Sequence, residues 1–182
     1  VQLELPPDTL VYGGSHTADI PLPLVYQDAD SKLERLSRKP FSEKTVLCSF
    51  VGSLTGKRSE IVRALNGSRG FVFHTREVWA RANEPSDVRL FTTSVIDSKF
   101  ALAPFGYGGS SFRFFEIFQL GAIPVYIYEE HNWLPFRDKI DYEKICIVIH
   151  LRDIAALEDR LKSVEQPQYE SMVTEYEKVK HY

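Results

Sequence analysis

The residues best suited to chemistry stand between Ser98 and Gly121, in the string SKFALAPFGYGGSSFRFFEIFQLG. An apolar run ending at Pro104 leads into Gly106, Tyr107, Gly108 and Gly109, then Ser110 and Ser111. A helical pattern carrying Arg113 and Glu116 follows. Glycines let a ligand approach the backbone closely. Serines before a helix are N-cap candidates, and the helix start offers unpaired N–H groups with partial positive charge. Arg113 has the planar fork that chelates phosphate oxygens. Glu116 lies one turn on, at i,i+3 on the same side, where a carboxylate accepts hydrogen bonds from a ribose diol. A phosphate binder and a diol binder one turn apart suit a nucleoside diphosphate. The same residues also suit a plain capped helix with an internal Arg–Glu pair, worth about 0.3 kcal/mol on a surface.

Two other stretches carry reactive types. Phe50–Ser59 reads FVGSLTGKRS. Only three residues separate Gly52 from Gly56-Lys57, where a phosphate-binding P-loop has four, and Arg58 replaces its magnesium-binding Ser or Thr. What remains is a Gly-rich turn with Lys57 and Arg58 beside it. It is either an anion site at a helix start or a turn with solvated basic residues. Farther on, Tyr128–Phe136 reads YEEHNWLPF. Its carboxylates, imidazole and indole could grip sugar hydroxyls and stack on a sugar face. The other reading is a polar loop with Trp133 and Phe136 as core anchors. Glu129, Glu130 and His131 cannot all point at one ion from an extended chain, because side chains alternate there. No metal ligands are therefore expected. His16 and Asp19 allow a general-base pair or a polar turn, and no catalytic group is assigned. Neither a Gly-x-Ser-x-Gly elbow nor a His-Glu-x-x-His zinc helix occurs.

These stretches need elements to position them. Residues 1–27 are rich in Pro and Gly and read as irregular, partly extended chain. A charged helical run follows from Asp30 to Lys39, closed by Pro40. Short apolar runs then recur at Val46–Val51, Phe71–His74, Phe100–Ala103, Ile123–Tyr128 and Ile145–Ile149. Each is too short for a helix. Helix-like stretches lie between and after them: Arg58–Leu65, Asp87–Ile96, Ser111–Leu120, part of Leu134–Tyr142, Asp153–Val164 and Tyr169–Lys180. Alternation of this kind predicts a Rossmann-like α/β fold, a parallel sheet of about five strands with helices on both faces. Ligands bind such sheets at the carboxyl ends of the strands. The expected organisation is an irregular leading segment with a linking helix over 1–40 and a Rossmann-like domain over 41–182.

Composition narrows the classes. Of 182 residues, 43% are apolar and 26% charged, which suits one globular domain and excludes disorder, collagen and coiled coil. The formal charge of −3 argues against a general nucleic-acid binder. No apolar stretch is long enough for a membrane span, and no signal peptide opens the chain. The sequence starts at Val1 without Met, inside a strand-like run, so it is expected to be a piece of a longer protein. Cys48 and Cys146 both sit in apolar runs and read as buried thiols. Asn66-Gly67-Ser68 fits an N-glycosylation acceptor, a pattern short enough to recur by chance.

The string SKFALAPFGYGGSSFRFFEIFQLGAIPVYIYEEHNWLPF resembles the exostosin family of glycosyltransferases. That family shows a Ser-Lys-Phe-x-Leu-x-Pro strand, a glycine loop, a Ser-Phe-Arg-Phe-x-Glu helix, Gly-x-Ile-Pro-Val and Leu-Pro-Phe, in this order. Gly52 with Arg58, Asp19-Ile20-Pro21, Tyr169, Met172 and the terminal Val-Lys-His-Tyr extend the resemblance over nearly the whole chain. It implies the donor-binding C-terminal half of an inverting GT-B glycosyltransferase. Such an enzyme uses a nucleotide-diphosphate sugar, a UDP-sugar first, with a glycan acceptor and no obligatory metal. Ser110, Ser111 and Arg113 would then meet the diphosphate. Glu116 would meet the ribose, Arg58 would add charge at the phosphates, and Glu130 would lie near the donor sugar. Gly106, Tyr107 and Gly108 belong to the loop around the donor. Many relatives carry Arg where this chain has Phe105, which implies a weaker or rearranged grip there. An N-terminal acceptor domain or a partner subunit is implied, and the catalytic base is not assigned. The Golgi lumen is implied for a typical eukaryotic member, the cytoplasm otherwise. Two other readings remain. One is a non-catalytic nucleotide-sugar or glycan-binding module. The other is a domain that stabilises a partner transferase through Phe112, Phe114, Phe115 and Phe118, although Phe114 and Phe118 at i,i+4 read as core.

Overall fold

The computed structural model describes residues 36–77, 85–106, 109 and 111–180, with Tyr12, Gly13, Ile20, Pro21 and Leu33. Two short strands, β1 (Tyr12–Gly13) and β2 (Ile20–Pro21), pair in parallel. The main sheet has five strands: β3 (Val46–Ser53), β4 (Phe71–Arg76), β5 (Ser98–Pro104), β6 (Ile123–Tyr128) and β7 (Ile147–His150). Their order is β4-β3-β5-β6-β7, and every pairing is parallel. The predicted Rossmann-like α/β fold is thus present, in the flavodoxin-like strand order. β5 and β6 are buried along almost their whole length. That accounts for their unbroken apolar sequences, since an interior parallel strand is covered on both faces.

The helices are α1 (Arg58–Ala64), α2 (Pro85–Ile96), α3 (Phe112–Gln119), α4 (Leu157–Lys162) and α5 (Gln166–Val179). The chain moves one way from β3 to β4 and the other way from β4 through β5 to β6. Right-handed crossovers therefore put α1 on the opposite face from α2 and α3. Cys48, Phe100, Ile123, Val125 and Ile127 are fully buried. Cys48 and Cys146 are both buried free thiols, and burial pushes both well above the ordinary thiol range.

Several predicted helices differ in detail. Over 36–40 the chain is not helical. Its side chains reach other elements instead: Arg38 bonds to Gln119 O and Lys39 pairs with Asp97. The rest of the predicted Asp30–Lys39 helix lies outside the described residues, Leu33 aside. Within Leu134–Tyr142 there is only one turn, closed from Ile140 N–H to Phe136 O at 2.8 Å, and then a 3-10 turn at Tyr142–Lys144. Phe136, at φ 53°, takes a left-handed conformation that interrupts regular helix. The Asp153–Val164 helix is split into a 3-10 turn (Leu151–Ala156) and α4. Ile154, Leu157, Leu161 and Val164 are nevertheless all buried. Pro167 lies inside the first turn of α5 rather than before it, a position where its missing N–H costs nothing.

Neither α2 nor α3 has a basic residue in its last turn. The segment before β3 supplies the cations that favour a helix C-terminus. Arg38 Nε donates to Gln119 O at 3.2 Å at the end of α3. Lys44 Nζ donates to Ile96 O at 2.9 Å at the end of α2. The end of α3 is also closed by paired bonds, Ala122 N–H to Ile117 O and Gly121 N–H to Phe118 O. This is a Schellman motif with Gly121 at φ 77°. Tyr169 Oη donates to Gly121 O at 3.1 Å.

Lys44 is only 5% exposed. Burial lowers its pKa to about 8, with Lys39 and Arg38 adding to the effect and Asp97 opposing it. The folded value lies below the unfolded one, so this group's contribution to stability grows as pH rises from about 8 toward 10.5. Cys48, Cys146, Tyr126, Tyr142 and Tyr169 are raised and work in the opposite direction at alkaline pH. The wild-type profile should therefore be compared with that of Lys44→Met. The stability difference, wild type minus variant, is expected to rise between pH 8 and 10 by about 1 kcal/mol per pH unit in urea unfolding. A flat difference would show that Lys44 titrates normally.

Candidate functional site

The predicted loops all leave the carboxyl edge of the sheet. Strand order reverses direction at β3, so the crevice between the ends of β3 and β5 is the topological switch point. After β3 the chain turns through Ser53–Lys57, with Gly56 at φ 60°, and enters α1 at Arg58. Arg58 does not point away into solvent. Its Nε donates to Phe105 O at 3.2 Å and its Nη2 to Pro104 O at 3.5 Å. The guanidinium lies against Gly106, where an added Cβ would come within 2.9 Å of Nη2. Arg58 thus binds the β3 connection to the loop leaving β5.

That loop continues through Gly109 to Ser111, which occupies the N-cap position of α3 with extended backbone. The Ser111 side chain is buried but makes no capping hydrogen bond. Tyr107, Gly108 and Ser110 lie outside the described residues, as do His16 and Asp19. On α3, Arg113 Nη1 donates to Glu116 Oε2 at 2.8 Å. The same guanidinium sits 3.8 Å over the ring of Phe91 from α2, a cation–π contact that sequence gave no means to foresee. The two predicted binding residues are therefore joined to each other, with Glu116 the more sheltered at 14% side-chain exposure against 36% for Arg113.

Across the crevice, the segment after β6 carries Glu129 and Glu130. Glu129 accepts from Lys57 at 3.2 Å, and Lys57 also meets Glu60 at 3.2 Å. The hydrogen bonds to Glu129 and then Glu60 raise the Lys57 pKa. Glu130 is exposed, as is His131. Among the described residues no three His, Cys, Asp or Glu side chains gather as a metal site. Trp133 is an anchor, only 9% exposed, whereas Phe136 is 38% exposed and is not one.

What holds this segment is a residue the sequence reading passed over. Tyr126, in buried β6, accepts from Trp133 N–H at 3.0 Å and donates to Gly109 O at 3.1 Å. One hydroxyl thus ties the glycine loop to the segment after β6. Burial pushes Tyr126 up to about 12, so it stays neutral and can donate. A Cβ on Gly109 would fall 1.9 Å from Trp133 Cδ1. The described glycines of the loop are therefore small because Arg58 and Trp133 pack on them, whatever else approaches. The available signal was a tyrosine in the middle of an apolar strand, since a buried hydroxyl requires partners. Asn132 Oδ1 accepts from Leu134 N–H at 3.1 Å, a local turn of the kind Asn favours.

A parallel α/β domain with a glycine loop, two arginines and a carboxylate at its switch point belongs to the Rossmann-like class. More narrowly, the chain belongs to the exostosin family, since residues 11–164 match the exostosin GT47 domain. An exostosin-1 homolog of Caenorhabditis elegans is 27% identical over 171 residues, covering 81% of this chain and 44% of its own length. A probable glycosyltransferase of Arabidopsis thaliana is 26% identical over 157 residues, covering 79% of this chain and 33% of its own length. The chain spans less than half the length of these two relatives.

Tyr126→Phe keeps the ring and removes the bridge. It leaves buried polar groups without a partner, so an unfolding cost of about 1–3 kcal/mol is expected. Urea titration measures that cost. Trp133 fluorescence in a Trp79→Phe background should shift to the red as the indole loosens. An unchanged midpoint and spectrum would show that the bridge holds nothing in place.

Proposed function

We propose that this chain is the donor-binding part of an inverting glycosyltransferase that moves a sugar from a UDP-sugar to a glycan acceptor. The observation that carries the reading is the meeting of Arg58 and Gly106 at the ends of β3 and β5, with Arg113 and Glu116 on the helix that follows, in a chain that matches the exostosin GT47 domain. In this reading Ser110, Ser111 and Arg113 take the diphosphate and Glu116 takes the ribose diol. Arg58 adds positive charge beside the phosphates, Tyr107 and Gly108 line the loop, and Glu130 lies near the donor sugar. Residues 41–182 form the binding domain and 1–40 its leading segment.

The chemistry is a displacement at the anomeric carbon. An acceptor hydroxyl oxygen forms the new bond, the bond to the diphosphate breaks on the opposite face, and the hydroxyl proton passes to a base. That base is not assigned here. Charge accumulates on the departing diphosphate, and fixed cations and N–H dipoles stabilise it as it forms. In this reading arginine and the start of α3 take the role that a divalent ion has elsewhere, so binding does not depend on one. A second reading is donor binding without turnover. The acceptor side would then come from a further domain or a partner subunit.

Calorimetric titration with UDP, GDP and their sugars, with and without EDTA, tests the proposal. UDP binding should survive EDTA. Arg113→Ala should weaken it by about 10- to 100-fold, the size expected when a hydrogen bond to a charged group is lost. Glu116→Ala should weaken nucleoside diphosphate more than inorganic pyrophosphate. Consumption of the donor separates transferase from binding module. No binding of any nucleotide would overturn the reading.

A further inference from the structure

Lys57 follows β3 and Glu129 follows β6, yet their side chains meet at 3.2 Å. In the sheet β3 and β6 are not neighbours, because β5 lies between them. A contact between groups at the carboxyl ends of β3 and β6 has to cross the end of β5, where the glycine loop emerges. The neighbouring Arg58 confirms that proximity, since it lies against Gly106 of that loop. The two adjacent basic residues therefore have different occupations. Arg58 holds backbone carbonyls at the base of the loop, and Lys57 pairs with a carboxylate of the segment after β6.

We infer that the Lys57–Glu129 pair is an exchangeable latch between the connections after β3 and β6, in which Glu129 occupies Lys57 until an anionic phosphate group displaces it. The inference rests on the proposed nucleotide-diphosphate site and adds Lys57 as a phosphate ligand and Glu129 as its competitor. Three observations support exchange. The pair is open to solvent, with side-chain exposures of 46% and 37%, and exposed pairs of this kind are individually weak. Lysine is a flexible point charge with three donors, so it can change partner without rebuilding the site. Lys57 also keeps Glu60 at 3.2 Å, one helical turn away, so release from Glu129 does not leave the ammonium without a neighbour. When phosphate arrives, Glu129 meets like charge and loses its cation, and the segment leading to Glu130 and Trp133 is released from the β3 side.

The test uses the full chain and two probes, UDP and inorganic pyrophosphate, titrated calorimetrically into wild type, Glu129→Gln, Lys57→Gln and the double variant. Removing the competing carboxylate should tighten both probes about two- to fivefold, and removing the ammonium should weaken both by a similar factor, as expected for a solvent-exposed charge contact. The double variant should match Lys57→Gln, because Glu129 acts through Lys57. Equal or weaker binding by Glu129→Gln overturns the latch, as does a Glu129→Gln gain that persists undiminished without Lys57. If pyrophosphate follows the expected order while UDP fails to bind, the latch stands and the nucleotide reading falls. Silence from both probes in Glu129→Gln overturns the latch itself.

Discussion

Parallel pairing is the constraint from which the site follows. Parallel strands cannot be joined by a tight turn, so each connection crosses back over the sheet before the next strand begins. Every segment that follows a strand therefore starts from one edge. With β3 in the interior and the order β4-β3-β5-β6-β7, the connections out of β3 and β5 leave on opposite faces and a crevice opens between them. Arg58 and Phe105 are 47 positions apart in sequence yet in contact there. No local preference brings them together, only the register of the strands that precede them.

The two edges of the sheet have different duties. At the amino edge, Arg38 and Lys44 meet the C-terminal carbonyls of α3 and α2. The end of α3 is fixed further by its Schellman bonds and by Tyr169. Phe118 of α3 also stacks on Tyr176 of α5 at 3.9 Å. At the carboxyl edge, the contacts between loops among the described residues include Arg58 to the loop after β5, Tyr126 from β6 to that loop and to Trp133, Lys57 to Glu129, Leu54 N–H to Arg76 O, and Arg76 to Asp87. A helix anchored at its far end presents Arg113 and Glu116 from a rigid support, while the loops around them rely on single side chains. Precision at a site comes from the elements behind it, and here the support lies mostly on the side away from the crevice.

This division explains what the sequence made legible. Apolar runs with turn residues between them located all five strands of the main sheet, because burial on both faces leaves a continuous pattern. The glycine loop and the start of α3 were readable because capping and turn chemistry are local. Phe91 beneath Arg113, Tyr126 between two loops and Trp133 on Gly109 were not, since each contact is set by tertiary packing. The helix expected over Asp30–Lys39 shows the converse. Its composition favours helix, but at 36–40 Arg38 and Lys39 are committed to Gln119, Glu177 and Asp97, and tertiary partners override a weak local preference.

The Arg113–Glu116 pair bears on the choice between a plain capped helix and a phosphate site, and the geometry removes the conflict. A guanidinium has five N–H donors and two faces. Phe91 engages a face, and Glu116 engages Nη1. An anion that approaches along another edge of the plane displaces neither. Holding the side chain in place beforehand also reduces the rotamer freedom lost when a ligand binds, which strengthens binding without adding a contact. Of the two Glu116 carboxylate oxygens, Oε2 is the one that meets Arg113. The internal ion pair that an ordinary surface helix would show is therefore also compatible with the roles proposed above for Arg113 and Glu116.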